Sequence, residues 1–311
     1  MILHHYPRSP FAEKVRLAFG IKGLSWQSVE QPRLAPKPLL TALTGGYRRI
    51  PVLQIGADIY CDSRCIIDEI ERRHPAPGLR PPGSAGLAEM IAGFCDRFLF
   101  ASALGLVFAL HGERFPPELH ADRARFTAGQ FDGWDSQAMR RKLASTRYHL
   151  AQYCGWLDSL LGDGRSFLVG GAVSVADLAA FHPLWYAQQN LDRSDFDPGG
   201  WPGLAGWFER MDAFGHGVPS DLPADQALAI ARAAEPAAVA CATLPAAGAP
   251  RLGSSVAVAP DDWGFDPIEG ELVGVSADRI SLRRHDPAVG FVVVHFPHVG
   301  FVLRERASAS G

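Results

Sequence analysis

The sequence has few cysteines and no excess of charge of either sign, and each shortage excludes a class of protein. Its five cysteines are widely spaced and none belongs to a Cys-x-x-Cys pair. This spacing argues against a disulfide framework or a four-cysteine zinc site, and it favours a reducing compartment. The 30 basic and 33 acidic residues give a net charge of −3, which does not fit a strongly basic nucleic-acid-binding protein. We therefore expect a cytoplasmic protein with no nucleic-acid partner.

Long hydrophobic runs are also missing from the sequence. No uninterrupted apolar stretch reaches the ~20 residues of a membrane helix, and the longest candidate, residues 98–110, contains Ser102 and Gly105. The first residues lack the basic and apolar segments of a signal peptide. We therefore expect no membrane partner, and a buried helix at residues 98–110.

The length allows two domains and a third small unit, since a domain usually takes ~100–200 residues and the chain has 311. Residues 1–80 alternate between strand and helix patterns, which predicts an α/β domain. Residues 86–222 are helical almost throughout, with an irregular or broken segment at 112–135. Residues 223–250 form an alanine-rich helix and an Ala/Pro linker, and residues 251–306 show the period-two pattern of a small antiparallel β module.

Ser9 and Pro10 stand between the first strand and the first helix. Serine is a common N-cap and proline suits the first helical position, so most Ser-Pro pairs at such a place only start a helix. A hydroxyl at a helix N-terminus also lies where backbone N–H groups and the helix dipole favour an anion.

Two further segments of the α/β domain combine polar groups with special backbone positions. Pro51 follows Arg49 and Ile50 at the head of a strand, which is a suitable place for a cis-proline. Asp62 and Ser63 place an acid and a hydroxyl at the N-terminus of a second helix.

In this order, these segments resemble the glutathione-binding, thioredoxin-like domain of the glutathione transferase superfamily. The run SPFAEKVRLAFGIKGL (residues 9–24) is most similar to the omega and related classes, which have Cys or Ser before this proline. Phe-Leu-Val-Gly-Gly at residues 167–171, followed by Ser174 and Asp177, is similar to the helix-opening motif of the family's all-α C-terminal domain, where its role is in folding. The resemblance covers residues 1–220 approximately, so the β module is an addition of unknown role.

The resemblance implies a role for a hydroxyl beside the glutathione sulfur. Ser9 would hydrogen-bond the sulfur and favour its thiolate, since a free thiol has a pKa of ~8.5 and is mostly protonated at neutral pH. Tyr6, three residues earlier, is the alternative donor.

The resemblance also implies how the rest of glutathione would be held. Ile50 and the following proline would present backbone to the cysteinyl part. Asp62 would lie near the γ-glutamyl ammonium and Ser63 on its carboxylate. Arg49 would meet the glycine carboxylate, with Arg48 as a less suitable substitute.

We therefore expect a homodimeric, glutathione transferase-like detoxification enzyme that uses glutathione as co-substrate. A hydrophobic electrophile would lie between the domains, against aromatic residues within 108–134. One alternative is a non-catalytic binding or scaffolding protein of the same fold, which the additional module favours. A second alternative is a glutathione-dependent thiol transferase or isomerase. The serine before Pro10 disfavours thiol transfer, since disulfide exchange needs a cysteine there.

No group of residues in the sequence indicates a metal site. His4 and His5 are adjacent on a strand and point to opposite faces, and His295 and His298 have no third ligand nearby. We expect turn positions for two sets of aspartates, which are Asp192, Asp195 and Asp197, and Asp261, Asp262 and Asp266.

Overall fold

A computed structural model describes residues 1–128, 134–239 and 250–306. Parts of the predicted irregular segment and of the predicted linker, residues 129–133 and 240–249, lie outside the described residues, as do residues 307–311. The α/β domain has the predicted order of elements. These are β1 (Ile2–His5), α1 (Pro10–Ile21), β2 (Ser25–Glu30), α2 (Pro38–Thr44), β3 (Val52–Ile55), β4 (Asp58–Cys61) and α3 (Ser63–Arg73).

The second domain is built from helices. They are α4 (Ala85–Phe94), α5 (Phe100–His111), α6 (Pro117–Phe126), α7 (Ser136–Arg141), α8 (Leu143–Leu161), α9 (Val175–Asn190) and α10 (Pro202–Asp212). A π-helical turn, Cys95–Leu99, joins α4 to α5. The segment predicted to be irregular contains the regular helix α6, which begins with a proline at its first position, where the missing N–H costs nothing.

The run Ala85–Arg114 is long and apolar enough, by length and composition, to cross a membrane. A helix in the core of a domain meets the same criteria. One side of this run is buried in the larger hydrophobic core, where Leu99, Ala103 and Leu106 lie with residues of α8 and α9. The absence of a membrane partner stays a prediction.

Asp177 organises the start of α9. Its carboxylate accepts hydrogen bonds from the backbone N–H groups of Ser174 and Leu168, both at 2.8 Å, and from the indole N–H of Trp207 at 2.9 Å. The Ser174 hydroxyl donates to it as well, at 2.7 Å. All four donors belong to the helical domain, which agrees with the predicted role in folding.

The C-terminal strands join the sheet of the first domain. After β5 (Val218–Asp221) and α11 (Ala224–Ala233), the chain forms β6 (Ser255–Pro260), β7 (Ile268–Val275), β8 (Arg279–Asp286), β9 (Gly290–Pro297) and β10 (Phe301–Glu305). One ten-stranded sheet results, in the order β10-β6-β7-β8-β9-β4-β3-β1-β2-β5. The antiparallel module was predicted, whereas its pairing with β4 and the addition of β5 beside β2 were not, because strand neighbours are decided by tertiary packing.

A buried polar chain accompanies the parallel pairing of β9 with β4. The His295 imidazole lies 2.9 Å from the Ser281 hydroxyl and 3.0 Å from the Asp58 carboxylate, and it stacks on Tyr60 with ring centroids 4.5 Å apart. Ser281, His295 and Asp58 are each almost fully buried, so no substrate reaches this Ser-His-Asp arrangement. It satisfies polar groups at the junction between the module and the first domain.

Candidate functional site

A cavity of about 440 Å³ lies where the α/β domain, the helical domain and the C-terminal module meet. Its wall contains every residue for which the sequence predicted a role in binding or activating glutathione. These are Tyr6, Ser9, Arg49, Ile50, Pro51, Asp62 and Ser63. The fold thus brings segments from three separate turns of the first domain to one place, as the sequence required.

Ser9 is the N-cap of α1, and only 2% of it is exposed. Its Oγ accepts a hydrogen bond from Ala12 N at 3.3 Å, and no hydrogen bond among the described residues uses the hydroxyl proton. The hydroxyl can therefore donate to an anion in the cavity, beside the partial positive charge of the helix N-terminus. Tyr6 belongs to the same turn, because its carbonyl accepts from Ser9 N at 3.1 Å.

The Ile50–Pro51 peptide bond is cis, and β3 begins at the next residue. Pro51 thus stands at the head of the strand, where it takes no donor from the sheet. Both residues line the cavity opposite the start of α1.

Asp62 is the N-cap of α3, with a φ of 76° that few non-glycine residues adopt. Its carboxylate accepts from Arg64 N at 2.9 Å. Burial raises the pKa of this carboxyl group, and the hydrogen bond from Arg64 opposes that effect. Ser63, the first residue of α3, is almost fully buried at the cavity wall.

Asp96, in the π-helical turn, is a second acid of the cavity wall and was not predicted. Lys14 Nζ lies 2.7 Å from one of its oxygens and His182 Nε2 lies 3.0 Å from the other. Burial raises the pKa of Asp96, but these two partners lower it to about 2 overall. The low pKa of Asp96 depends on partners that lie 82 and 86 residues away in the sequence, so no local pattern could predict it.

Arg49 lines the cavity, but its guanidinium is already bound to the C-terminal module. Nη2 donates to Asp262 Oδ1 at 2.5 Å and to the carbonyl of Trp263. Asp261 and Asp262 lie in a bend after β6, as predicted, and each also forms an ion pair that was not predicted, Asp262 with Arg49 and Asp261 with Arg97 at 2.7 Å. Each carboxylate therefore pairs with a cation of another domain. Only the folded chain brings these partners together, because they are far apart in the sequence.

Lys37 is a further cation at the cavity wall that sequence reasoning missed. It is only 7% exposed, and its ammonium donates a long hydrogen bond of 3.4 Å to Arg33 O. Burial, with the nearby charges of Arg123 and Arg48, lowers the pKa of Lys37 to about 8. Lys37 lies between two prolines, and nothing in that local pattern predicts that its side chain is buried.

The rest of the cavity wall combines aromatic rings with further arginines, which are Arg8, Arg33, Arg48, Arg97 and Arg123. The predicted contribution from residues 108–134 is present, and other segments add rings. The aromatic wall comprises Phe11, Phe98, Phe100, Phe108, Phe126, Trp134, Tyr186 and Trp263. Such a surface suits an apolar molecule next to a polar site.

Comparison with known proteins agrees with this geometry. Residues 3–78 match the family model of the glutathione S-transferase N-terminal domain, and residues 136–210 match that of the glutathione S-transferase C-terminal domain. The crystal structure of a GST-like protein from Pseudomonas syringae is 37% identical, with a TM-score of 0.81 over 98% of this chain and 99% of that one. The chain belongs to the glutathione S-transferase superfamily. The predicted family is thereby confirmed.

Two further comparisons match proteins whose names do not refer to glutathione. FtsZ-localized protein A of Caulobacter vibrioides (strain NA1000 / CB15N) is 29% identical over 183 residues, which are 57% of this chain and 73% of that protein. The solved structure of FzlA from C. crescentus is 25% identical, with a TM-score of 0.53 over 68% of this chain and 87% of that one.

Outside the cavity, His111, Asp192 and Asp195 bring potential metal-ligand atoms within 4.8 Å of one another. Arg147 pairs with Asp195 at 3.2 Å, and Arg114 lies 3.5 Å from Asp192. These ion pairs account for the acidic loop, which the sequence predicted to be a solvated turn. That the protein uses no metal stays a prediction.

Proposed function

We propose that the protein binds glutathione in this cavity and stabilises its thiolate with the Ser9 hydroxyl. The hydrogen bonding of the Ser9 hydroxyl supports this most directly. Its oxygen is occupied by Ala12 N, and its proton is available to the cavity at the start of a twelve-residue helix. A donor and a helix N-terminus both favour an anion over its protonated form.

The chemistry follows from that preference. The glutathione thiol loses its proton to solvent, and the sulfur keeps the electron pair beside the Ser9 hydroxyl. The thiolate then attacks an electrophilic carbon of a hydrophobic co-substrate lying against the aromatic wall, forming a sulfur–carbon bond as the leaving group departs. Lowering the thiol pKa from ~8.5 toward neutrality raises the thiolate fraction by about tenfold per unit at neutral pH.

The two ends of glutathione meet opposite charges in this proposal. The γ-glutamyl ammonium lies near Asp62, and its carboxylate accepts from Ser63. Asp96 is not assigned to it, because Lys14 and His182 already contact both of its carboxylate oxygens. The backbone of Ile50 faces the cysteinyl part. Because Arg49 already forms an ion pair with Asp262, we assign the glycine carboxylate to Lys37 first, with Arg49 as the alternative.

A non-catalytic binding or scaffolding role is the second candidate. The similarity to FtsZ-localized protein A favours it, since that protein is named for where it is found and not for a reaction. The C-terminal module, which lies beyond both matched family models, also favours it. In either case we propose a cytoplasmic homodimer, and light scattering of the purified protein measures its oligomeric state.

The test is an ultraviolet titration of the thiolate of bound glutathione, with binding measured separately by calorimetry. We expect a thiol pKa at least ~1 unit below the free value in the wild type, and a return toward ~8.5 in Ser9→Ala with little change in affinity. Tyr6→Phe is the matched variant, and loss of the shift there alone assigns the role to Tyr6.

The remaining outcomes separate the alternatives. Glutathione that binds with an unchanged thiol pKa in the wild type contradicts catalysis and supports the binding protein. Ser9→Cys that gains disulfide exchange supports the placement of Ser9 beside the sulfur. Wild-type protein with that exchange activity, or with isomerase activity and no conjugation, supports the third alternative. Absence of glutathione binding contradicts all of these functions except scaffolding.

A further inference from the structure

Residues 261–264, the first part of the segment between β6 and β7, reach from the C-terminal module to the cavity, and we call them the 261–264 loop. Polar contacts bind this loop to segments outside the module. They run from Asp261 to Arg97 (2.7 Å), from Asp262 to Arg49 (2.5 Å), from the Trp263 carbonyl to Arg49 and from Gly264 N to Phe126 O (2.9 Å).

Gly264 allows the loop to approach α6 closely. Its φ is +60°, and a Cβ placed there would lie 2.3 Å from a ring carbon of Phe126. Only glycine accepts both the backbone conformation and the contact. The loop is therefore seated on the aromatic wall by backbone geometry as well as by charge.

Because the loop contacts α6 in this way, the Trp263 side chain lies in the cavity wall. Its ring stacks on Phe100, with centroids 5.9 Å apart and planes 29° from parallel. It meets Phe126 edge to face, with centroids 6.4 Å apart. All three rings line the cavity. Phe100 of α5, Phe126 of α6 and Trp263 of the 261–264 loop together form an aromatic corner.

The cations beside this corner are paired with carboxylates. Arg48 and Arg123, whose guanidinium groups lie 4.8 Å and 5.8 Å from the centre of the Phe126 ring, both pair with Asp122. Asp262 pairs with Arg49, whose guanidinium also lies 5.8 Å from the centre of the Phe126 ring. The aromatic rings beside these ion pairs favour flat groups, since aromatic rings pack in offset or edge-to-face arrangements with other rings.

We propose that Trp263 is a specificity-determining residue, and that it selects co-substrates with a planar aromatic group attached to the electrophilic carbon. This proposal rests on the proposed glutathione conjugation. It gives the C-terminal module a part in substrate choice, although the module lies beyond the two domains that the family models match.

The experiment compares the affinities of S-(4-nitrobenzyl)glutathione and S-methylglutathione in the full-length protein. The variants are Trp263→Ala, Trp263→Phe and, as a control in the same module, Phe291→Ala, whose side chain is exposed on β9 away from the cavity. We expect the preference for the benzyl compound to fall about tenfold in Trp263→Ala and only about twofold in Trp263→Phe. S-methylglutathione affinity stays the same in all variants, and Phe291→Ala keeps the full preference.

A second measurement separates failure of this proposal from failure of the proposed function. Fluorescence of anilinonaphthalene sulfonate reports an apolar aromatic site without glutathione. If neither glutathione derivative binds the wild type, the proposed function fails, while weaker dye binding in Trp263→Ala than in Phe291→Ala still supports the Trp263 wall. An unchanged preference in Trp263→Ala, or equal dye binding in the two alanine variants, overturns it.

Discussion

The guanidinium of Arg49 and the carboxylate of Asp262 lie 2.5 Å apart, although 213 residues separate them in the sequence. This contact joins the turn before β3 to the 261–264 loop at the rim of the cavity. Both side chains are partly buried in the folded chain. Loss of one partner leaves the other with a poorly solvated charge, so the pair couples the module to the site.

A double-mutant cycle measures that coupling. We expect Arg49→Ala and Asp262→Ala to show a coupling energy of about 1 kcal/mol in urea unfolding, because the pair is partly shielded from water. The exposed pair Arg283 and Glu271, within the same module and 2.7 Å apart, is the matched control. For that pair we expect less than ~0.5 kcal/mol. Equal coupling in both cycles would show that the Arg49 contact is an ordinary surface ion pair.

Lys37→Met tests the proposed contact with the glycine carboxylate. We expect S-methylglutathione to bind at least ~10-fold more weakly, because a charge-assisted hydrogen bond is lost. Arg193→Gln, at a site that is 87% exposed, is the control and should bind normally. Esterifying the glycine carboxylate should weaken binding to the wild type and not weaken binding to Lys37→Met any further. A loss found in Arg49→Met and absent from Lys37→Met moves the contact to Arg49.

The pH dependence of the same binding follows from the Lys37 pKa of about 8. A bound carboxylate raises that pKa, so the complex holds a proton that the free protein releases above pH 8. Affinity should be constant below this value and decline above it in the wild type. Calorimetry of S-methylglutathione, whose sulfur does not titrate, should show that decline reduced in Lys37→Met.

Asp177→Ala should be among the most destabilising substitutions in the helical domain. The change leaves buried donors of Leu168, Ser174 and Trp207 without their acceptor, which we expect to cost about 3 kcal/mol or more. Asp225→Ala removes a first-turn acid from α11 at an exposed position and should cost less than ~1 kcal/mol. Urea unfolding of both variants gives the comparison. A similar cost for the two would contradict the role assigned to Asp177.

His4 links stability to pH. Burial lowers its pKa to about 4, and the hydrogen bond with Gln54 opposes this only in part. The unfolded chain binds the proton at ~6.5, so stability from neutral His4 is present above that pH and declines as pH falls toward about 4. His4→Gln should lose less stability than the wild type over this interval, measured as free energy of unfolding. His149→Gln, on the exposed side of α8, should follow the wild-type profile.

Local patterns in the sequence were sufficient for most helices and strands of the first domain. Proline at a first helical position, serine or aspartate at an N-cap and alternation in strands are decided within a few residues. For that reason the bounds of α3 could be predicted from the sequence. The grouping of Ser9, Pro51 and Ser63 around one cavity was instead implied by the family resemblance. Strand β5 lacks such a signal, since all four of its residues are exposed and only its pairing with β2 makes it a strand.

The sequence by itself determined the polar groups at the two helix N-termini, because these depend on short-range backbone preferences. It also determined the family and the order of the two family domains, because the motifs that carry the resemblance are short segments in a fixed order. Only the tertiary structure decided that β9 pairs with β4, that Asp262 occupies Arg49, and that Trp263 reaches the cavity. The first two of these contacts join segments more than 200 residues apart. Their partners are selected by burial and charge in the packed molecule, which no local pattern records.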